Sequence, residues 1–355
     1  MIGWYVHHHG RGHLARAQSV LAQLDAPARL LTSLPIAGAL QLALDTDVEP
    51  SGPAPHGLHW APLGSAGLRG RMAAISAWLE TERPSLVVVD VSVEVALLVR
   101  LHGVRVVYVR QHGHRGDPPH RLAYDASEAL LAPYPEWLEQ SDVPRAVRRK
   151  TFYAGGFSRF DERALPTQQP GPRPRPRVLF ITGAGGDTQL DTDAIAAACP
   201  WYEIQVAGRG AWAQDPWPLL AGADVVVAAA GHNAVMEVAA ARRPLICVPE
   251  ARPFGEQVEK ARALEREHMG VYADPATPPE HWGELIEQAR RLGGERLAKL
   301  SDGGGAARAA AWLDGLGASG RELGRGRFAQ QQEPVVVPID QARVRERSQP
   351  AAHRP

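Results

Sequence analysis

Short, continuously apolar runs alternate with longer amphipathic ones along most of the chain, the pattern of strands and helices taken in turn. In the first half, Ile2–Val6, Ala28–Leu31, Leu86–Asp90 and Val104–Val109 predict strands. Helices are predicted between them at Leu14–Leu24, Arg71–Glu82 and Val93–Leu101. Runs such as LVVVD and VRVVYV are apolar at every position, as expected of parallel strands covered by helices on both faces. The alternation stops at residues 161–176, DERALPTQQPGPRPRP, where five prolines from Pro166 to Pro176 predict an inter-domain linker. It then resumes, with strands at Arg177–Thr182, Tyr202–Val206, Val225–Ala228 and Leu245–Val248. The matching helices are Asp191–Ala198, Asn233–Ala241, Gly255–Glu267, 280–292 and 305–316. Two alternating halves on either side of a linker predict an α/β protein of two Rossmann-like, doubly wound domains facing a cleft: 1–160 and 177–316. Residues 317–355 carry seven Arg against four acidic side chains, with a QQQ run and scattered proline, and are expected to be a disordered basic tail.

At 355 residues the chain has room for two domains, each with its own core. Its 39 Lys+Arg balance 39 Asp+Glu, so net charge gives no footprint for nucleic-acid binding. The zero sum nonetheless conceals a basic tail and an Arg/His-rich rim on the first half. That rim leaves room for a peripheral contact with an anionic membrane surface. Cys199 and Cys247 lie in apolar contexts and read as core residues of a reducing compartment, not as a disulfide framework. The longest apolar stretch, Leu86–Val99, is interrupted by Asp90 and Glu94 and is too short for a spanning helix. Met1–His13 has neither the basic nor the apolar region of a signal peptide, so a cytoplasmic location is expected, at most peripheral to the membrane's inner face.

Ligands of doubly wound folds sit at the carboxyl ends of strands, so the loops after strands should carry the chemistry. The first is Gly10-Arg11-Gly12-His13-Leu14-Ala15-Arg16. Its glycines let backbone amides approach a ligand, and the helix it opens favours negative charge at its start. The loop also matches a dinucleotide fingerprint, but the acidic residue needed to hold that ligand's ribose is missing: the second strand ends in Thr32-Ser33. Thr182–Thr188, with Gly183, Gly185 and Gly186, occupies the same place in the second half and lacks the Lys-Ser/Thr ending of a nucleotide-triphosphate loop.

The most informative stretch is 221–265. A strand runs into Gly231-His232-Asn233, a helix follows with Glu237 about 1.5 turns inside, the next strand ends at Pro249, and Gln257 opens another helix. Free amides at the first helix start could take a diphosphate, and a carboxylate inside it could accept both hydroxyls of a ribose. Asp45-Thr46-Asp47 and Asp191-Thr192-Asp193 have the D-x-D form of a metal-binding motif. The first follows an expected helical run, IAGALQLAL, and the second opens a helix, so neither is assigned a metal. His7, His8, His9, His13, His112, His114 and His120 cluster after strands of one domain. A polar pocket of His7, Arg110, His112, Arg115 and Arg121 is favoured over a zinc site, and no cofactor is expected. Asp90 ends a buried strand, where either it or Ser92 caps the next helix, or Asp90 reaches the cleft to orient His13.

On these residues the chain resembles the nucleotide-sugar glycosyltransferases of the GT-B fold, in particular the family-28 type of the lipid II N-acetylglucosaminyltransferase group. The resemblance covers about residues 2–315 and rests on Gly231…Glu237, Leu245–Pro249 and Gln257…Lys260-Ala261, with Lys260 standing where the family has Asn. The G-x-G-H-x-x-R loop and Val106–Gly116 are similar to the family's acceptor side more loosely. The resemblance implies an inverting, metal-independent transfer from a nucleotide sugar, with uridine as the nucleoside, to a hydroxyl acceptor. Glu237 would bind the ribose. Gly231, His232 and Asn233, with Gly183, Gly185 and Gly186, would hold the diphosphate, and Gln257 would contact the sugar. Gly10, Gly12, Arg16, Arg110 and His112 would face the acceptor, and His13, with Asp90, would be the general base. An imidazole can take a proton from an attacking hydroxyl near neutral pH; a purely structural loop donor is the other reading of His13. Hydrolysis or 2-epimerisation of a nucleotide sugar, or its binding without catalysis, are the alternatives.

Overall fold

The computed structural model describes residues 1–8, 11–50, 52–163, 165, 174–181, 190–208 and 215–326. The first sheet contains β1 (Ile2–Val6), β2 (Ala28–Thr32), β3 (Leu40–Gln41), β4 (Leu86–Asp90), β5 (Val106–Val109), β6 (Ala129–Ala132) and β7 (Thr151–Tyr153). All seven are parallel, in the order β3-β2-β1-β4-β5-β6-β7. The second contains β8 (Arg177–Ile181), β9 (Glu203–Ala207), β10 (Val225–Ala228), β11 (Leu245–Cys247) and β12 (Val271–Tyr272), parallel in the order β12-β11-β10-β8-β9. The expected pair of doubly wound α/β domains is therefore present. Strand order reverses beside β1 and β4 in one sheet and beside β8 and β10 in the other, which places a crevice at each of those strand ends.

The helices of the first domain are α1 (Arg11–Leu21), α2 (Ala66–Glu82), α3 (Val93–Leu101), α4 (Pro118–Ala126) and α5 (Arg145–Arg149). Those of the second are α6 (Thr192–Ala198), α7 (Trp217–Gly222), α8 (His232–Ala240), α9 (Glu256–Arg266) and α10 (Trp282–Leu292), and α11 (Gly305–Gly326) ends the described chain. Polar caps start several of them: Ser65 accepts from the Leu68 amide, Ser92 from Val95 and Asp191 from Ala194. The central strands of each sheet are buried on both faces. Val87, Val89 and Tyr108 belong to one apolar cluster of the first domain and Val88, Val107 and Val109 to the other. This is why those strands read as unbroken apolar runs.

Three expectations are corrected. IAGALQLAL is not helical: Gly38 takes a left-handed conformation (φ 77°), and Leu40–Gln41 pair with β2 as a short edge strand. The final helix does not stop at residue 316 but continues to Gly326, so the tail's first part is ordered. Small side chains let that helix dock on the first domain, where Ala309, Ala310 and Leu313 are fully buried and Gly317 lies close to Ser85 and Ile2. The chain also changes domains before the proline-rich stretch. Phe157 packs in the first domain's core and Phe160 in the second's, next to Trp217 at a ring distance of 5.3 Å. Residues 164 and 166–173 of the expected linker lie outside the described residues. The strands β3, β6, β7 and β12 and the helices α4, α5 and α7 were not anticipated, being short or weakly periodic.

Candidate active site

The switch point between β1 and β4 brings together the loop that opens α1 and the end of β4. His13 and Arg16, one turn apart on α1, both face Asp90, the last residue of β4. Arg16 Nη2 donates to both Asp90 oxygens at 2.7 Å, and His13 Nδ1 lies 3.0 Å from Asp90 Oδ1. Asp90 is completely buried and Arg16 is 5% exposed, whereas His13 reaches solvent with about a fifth of its side chain. Burial alone would raise the Asp90 carboxyl; Arg16 and His13 outweigh it and hold the group down to about 2. His13 Nδ1 also lies 2.9 Å from Arg16 Nη2, so it stands between a carboxylate oxygen and a guanidinium donor; with its proton donated from Nδ1 to Asp90, Nε2 is left as the acceptor. Asp90 thus meets His13, and Ser92 takes the cap. Between them Val91 has φ 65°, a strained conformation for a β-branched side chain.

Across the cleft stands the start of α8. Gly231 is its N-cap and supplies no side-chain bond to the first turn, and the first helical acceptor, Gly231 O, is used by Val235 N. The amides of residues 232–234 have no partner within the helix, the condition under which a helix start takes an anion. Asn233 Nδ2 donates to Gly12 O at 3.1 Å, joining this helix start to the loop that carries His13. Gln257 is buried on α9, its Oε1 accepting from the Glu250 amide at 2.9 Å. Lys260 is fully buried one turn on and lies 3.6 Å from Glu256. Burial lowers its ammonium and the Glu256 carboxylate counters that. Burial, followed by the charge of Lys260, holds the imidazoles of His112 and His232 well below their ordinary value, and the Nε2 of each has no hydrogen-bond partner.

Glu237 lies on the second turn of α8, where burial raises its carboxyl and Arg159 partly offsets the rise. Arg159 Nε donates to its Oε1 at 2.8 Å. Arg110 departs from its expected place at an acceptor rim. It is 3% exposed and its guanidinium is held by the Glu139 carboxylate, which Tyr134 and Tyr153 also approach. A cation so enclosed and neutralised is structural. His112, 1% exposed with its ring 4.0 Å from that of Tyr134 and tilted 39° to it, is likewise interior. Arg121 points to solvent, and His7 stacks on His8 after β1. Gly10, Gly183, Gly185 and Gly186 lie outside the described residues.

Neither D-x-D triplet offers a free pair of carboxylates. Asp45 is bound by Arg71 at 2.6 Å, Asp47 accepts from Ser65 and the Ala66 and Gly67 amides, and Asp191 caps α6. Among the described residues, His59, Asp117 and His120 are near enough together to hold a cation. Their atoms already bond one another: Asp117 accepts from His59 at 2.7 Å and from His120 Nδ1 at 2.5 Å, and Arg115 lies 3.1 Å from His120 Nε2. A metal on Nδ1 would put a proton on Nε2, facing the Arg115 donors, so the set does not fit a cation in this arrangement. The contacts of Phe254 and Glu256 with the first domain had no sequence signal. Phe254 sits against His59 and His120 at ring distances of 5.6 and 4.8 Å, and Arg115 pairs with Glu256 at 3.3 Å.

Residues 163–300 match the model of the glycosyltransferase family 28 C-terminal domain. An uncharacterized glycosyltransferase of Methanosarcina acetivorans is 32% identical over 93 residues, 25% of this chain. The chain spans about a quarter (24%) of the length of that curated relative. Acinetobacter baumannii MurG superposes with a TM-score of 0.58 at 15% identity, over 87% of this chain and 94% of that one. Spinosyn rhamnosyltransferase SpnG complexed with thymidine diphosphate superposes at 0.53 and 17% identity, over 92% and 99%. The structural matches bear on the fold alone; together with the domain match they establish that this chain has the GT-B fold and carries, over residues 163–300, a glycosyltransferase family 28 C-terminal domain.

Proposed function

We propose that the chain is a glycosyltransferase that moves a sugar from a nucleoside diphosphate sugar, with uridine as the nucleoside, to a hydroxyl acceptor, with inversion and without a metal. The observation that carries this reading is the Arg16–Asp90–His13 set on one wall of the cleft, tied through Gly12 to the open amino terminus of α8 on the other. The donor's diphosphate lies at the amides of residues 232–234, its ribose hydroxyls on Glu237 and its sugar beside Gln257. A nucleoside diphosphate bound to SpnG, a protein of the same fold, supports the donor class. Residues 182–189, expected to share the diphosphate, lie outside the described chain.

In the reaction the acceptor hydroxyl approaches the anomeric carbon from the face opposite the diphosphate. His13 Nε2 takes its proton as the C–O bond forms, and Asp90 stabilises the resulting imidazolium through Nδ1–H. The bond to the diphosphate breaks as charge develops on the leaving oxygen, where helix amides and the buried cation of Lys260 supply the compensating field. Asp45, Asp47 and Asp191, three of the four carboxylates of the D-x-D triplets, are already engaged, which supports transfer without a divalent cation held by either pair. Among the described residues no helix is long and apolar enough to cross a membrane, and the reading places the reaction in the cytoplasm.

Titration calorimetry with UDP is the first test. Binding by the wild type and loss of about tenfold or more in Glu237→Ala are expected. UDP binding unaffected by Glu237→Ala sinks the ribose assignment. His13→Ala is expected to bind UDP normally while transfer falls ~10²-fold or more, the range for a lost general base. Turnover of the donor that needs no acceptor would replace transfer by hydrolysis or epimerisation.

A further inference from the structure

We infer that Glu250 is a specificity-determining residue for the transferred sugar, its Oε1 accepting a hydroxyl from the C3–C4 edge of the hexose. The inference rests on the proposed reading of the α8 start as the diphosphate site and deepens it. Glu250 stands just past the end of β11, at the carboxyl edge of the second sheet, where ligands of doubly wound folds sit. Val248 N still donates to Ala228 O at 2.9 Å, so the strand ladder runs almost up to it.

The carboxylate is held in place from both ends of one amide. Glu250 N donates to Gln257 Oε1 at 2.9 Å, and Gln257 Nε2 lies 3.4 Å from Glu250 Oε2. Gln257 is thus a positioning residue for Glu250. Arg252 donates to the same Oε2 at 2.9 Å from a side chain 41% exposed. Among the described residues the other oxygen, Oε1, has no hydrogen-bond partner, although the Glu250 side chain is only 9% exposed. An enclosed carboxylate oxygen calls for a donor, and a sugar hydroxyl is one. Two short links place it relative to the donor. A Cβ on Gly231, the N-cap of α8, would lie 3.8 Å from Gln257 Nε2, the atom that reaches Glu250 Oε2. A diphosphate on the α8 amides carries the sugar at its anomeric carbon, so the ring meets Gln257 before Glu250. Repulsion between the carboxylate and the diphosphate keeps the anomeric end away and turns the far edge of the ring toward Oε1.

A site built to accept a hydroxyl rejects the analogue that lacks it. Titration calorimetry with UDP, UDP-glucose and the 3-deoxy and 4-deoxy analogues of UDP-glucose therefore tests the contact. Wild type should bind one of the two analogues about tenfold or more weaker than UDP-glucose, the effect of a lost hydrogen bond to a charged group. Glu250→Gln keeps an acceptor for Gln257 and removes the charge. In that variant the gap should shrink to about threefold, the size for a neutral pair, while UDP affinity stays within about twofold of wild type. An unchanged gap in Glu250→Gln, or equal wild-type affinity for UDP-glucose and both analogues, overturns the hydroxyl contact and leaves the diphosphate site standing. An equal loss for UDP and every sugar nucleotide overturns it as well, since Glu250 would then only support its loop. Absence of UDP binding by the wild type overturns both readings.

Discussion

His13 and Asp90 are 77 positions apart in the chain and one hydrogen bond apart in the molecule. The carboxylate gains its place from burial against Arg16, and this makes it a source of acid-dependent stability. Its folded value, about 2, lies below the ordinary carboxylate value of 3.8. The stabilisation is therefore complete above roughly pH 4 and is lost as pH falls through about 2, amounting to ~2 kcal/mol for a shift of that size. Asp90→Asn should unfold at lower urea and show a flatter dependence of unfolding free energy on pH between about 4 and 2; an unchanged slope would remove Asp90 from the charge network. Loss of the anionic partner of His13 should also lower transfer in this variant while UDP affinity stays near wild type. Val91, held at φ 65° between Asp90 and Ser92, is the strained link that aims both residues. Val91→Gly is expected to raise the melting temperature, or leave it unchanged, at some cost in rate as the loop gains freedom.

At the scale of elements, α8 and α11 show how differently two helices use their sequences. The start of α8 was legible because glycine, histidine and asparagine in a row after an apolar strand leave a helix start open to an anion. α11 was legible only as a helix, since the surface that decides its role belongs to residues some 300 positions earlier: Asp314 accepts from the Asp25 and Ala26 amides at 2.9 and 3.0 Å. Leu313→Ala should cost about 2–5 kcal/mol, the range for a truncated core leucine, and should loosen the first domain, where that side chain is buried. Hydrogen exchange would show the loss in β1 and α1; a change confined to the second domain would contradict the docking. Short strands such as β3 and β12 escaped the sequence because two residues carry too little periodicity to stand above a loop.

For the molecule as a whole, the contacts between domains form a clasp on one side of the cleft. The His114 amide donates to Phe254 O at 2.8 Å, Arg115 pairs with Glu256 and lies over the Phe254 ring, and Phe254 is held at φ 64°. Phe254→Ala combined with Arg115→Ala should let the domains part, read as a larger radius of gyration by X-ray scattering and a weaker UDP affinity; an unchanged radius would mean that the remaining links, the Phe157–Phe160 crossing and the Asn233–Gly12 bond among them, set the domain arrangement. The alternation of apolar runs determined by itself that there are two parallel-sheet domains, because burial on both faces of a sheet dictates side chains one strand at a time. The loops proposed to carry the chemistry followed from their position after those strands. Which side chains meet was decided only by the tertiary structure: that Arg110 is neutralised by Glu139, that Arg159 sits on Glu237, and that His13 is backed by Asp90. Each of these is a pairing of charges across distant segments, and the energy of such a pair depends on separation and burial, quantities that come into being only when the chain has folded.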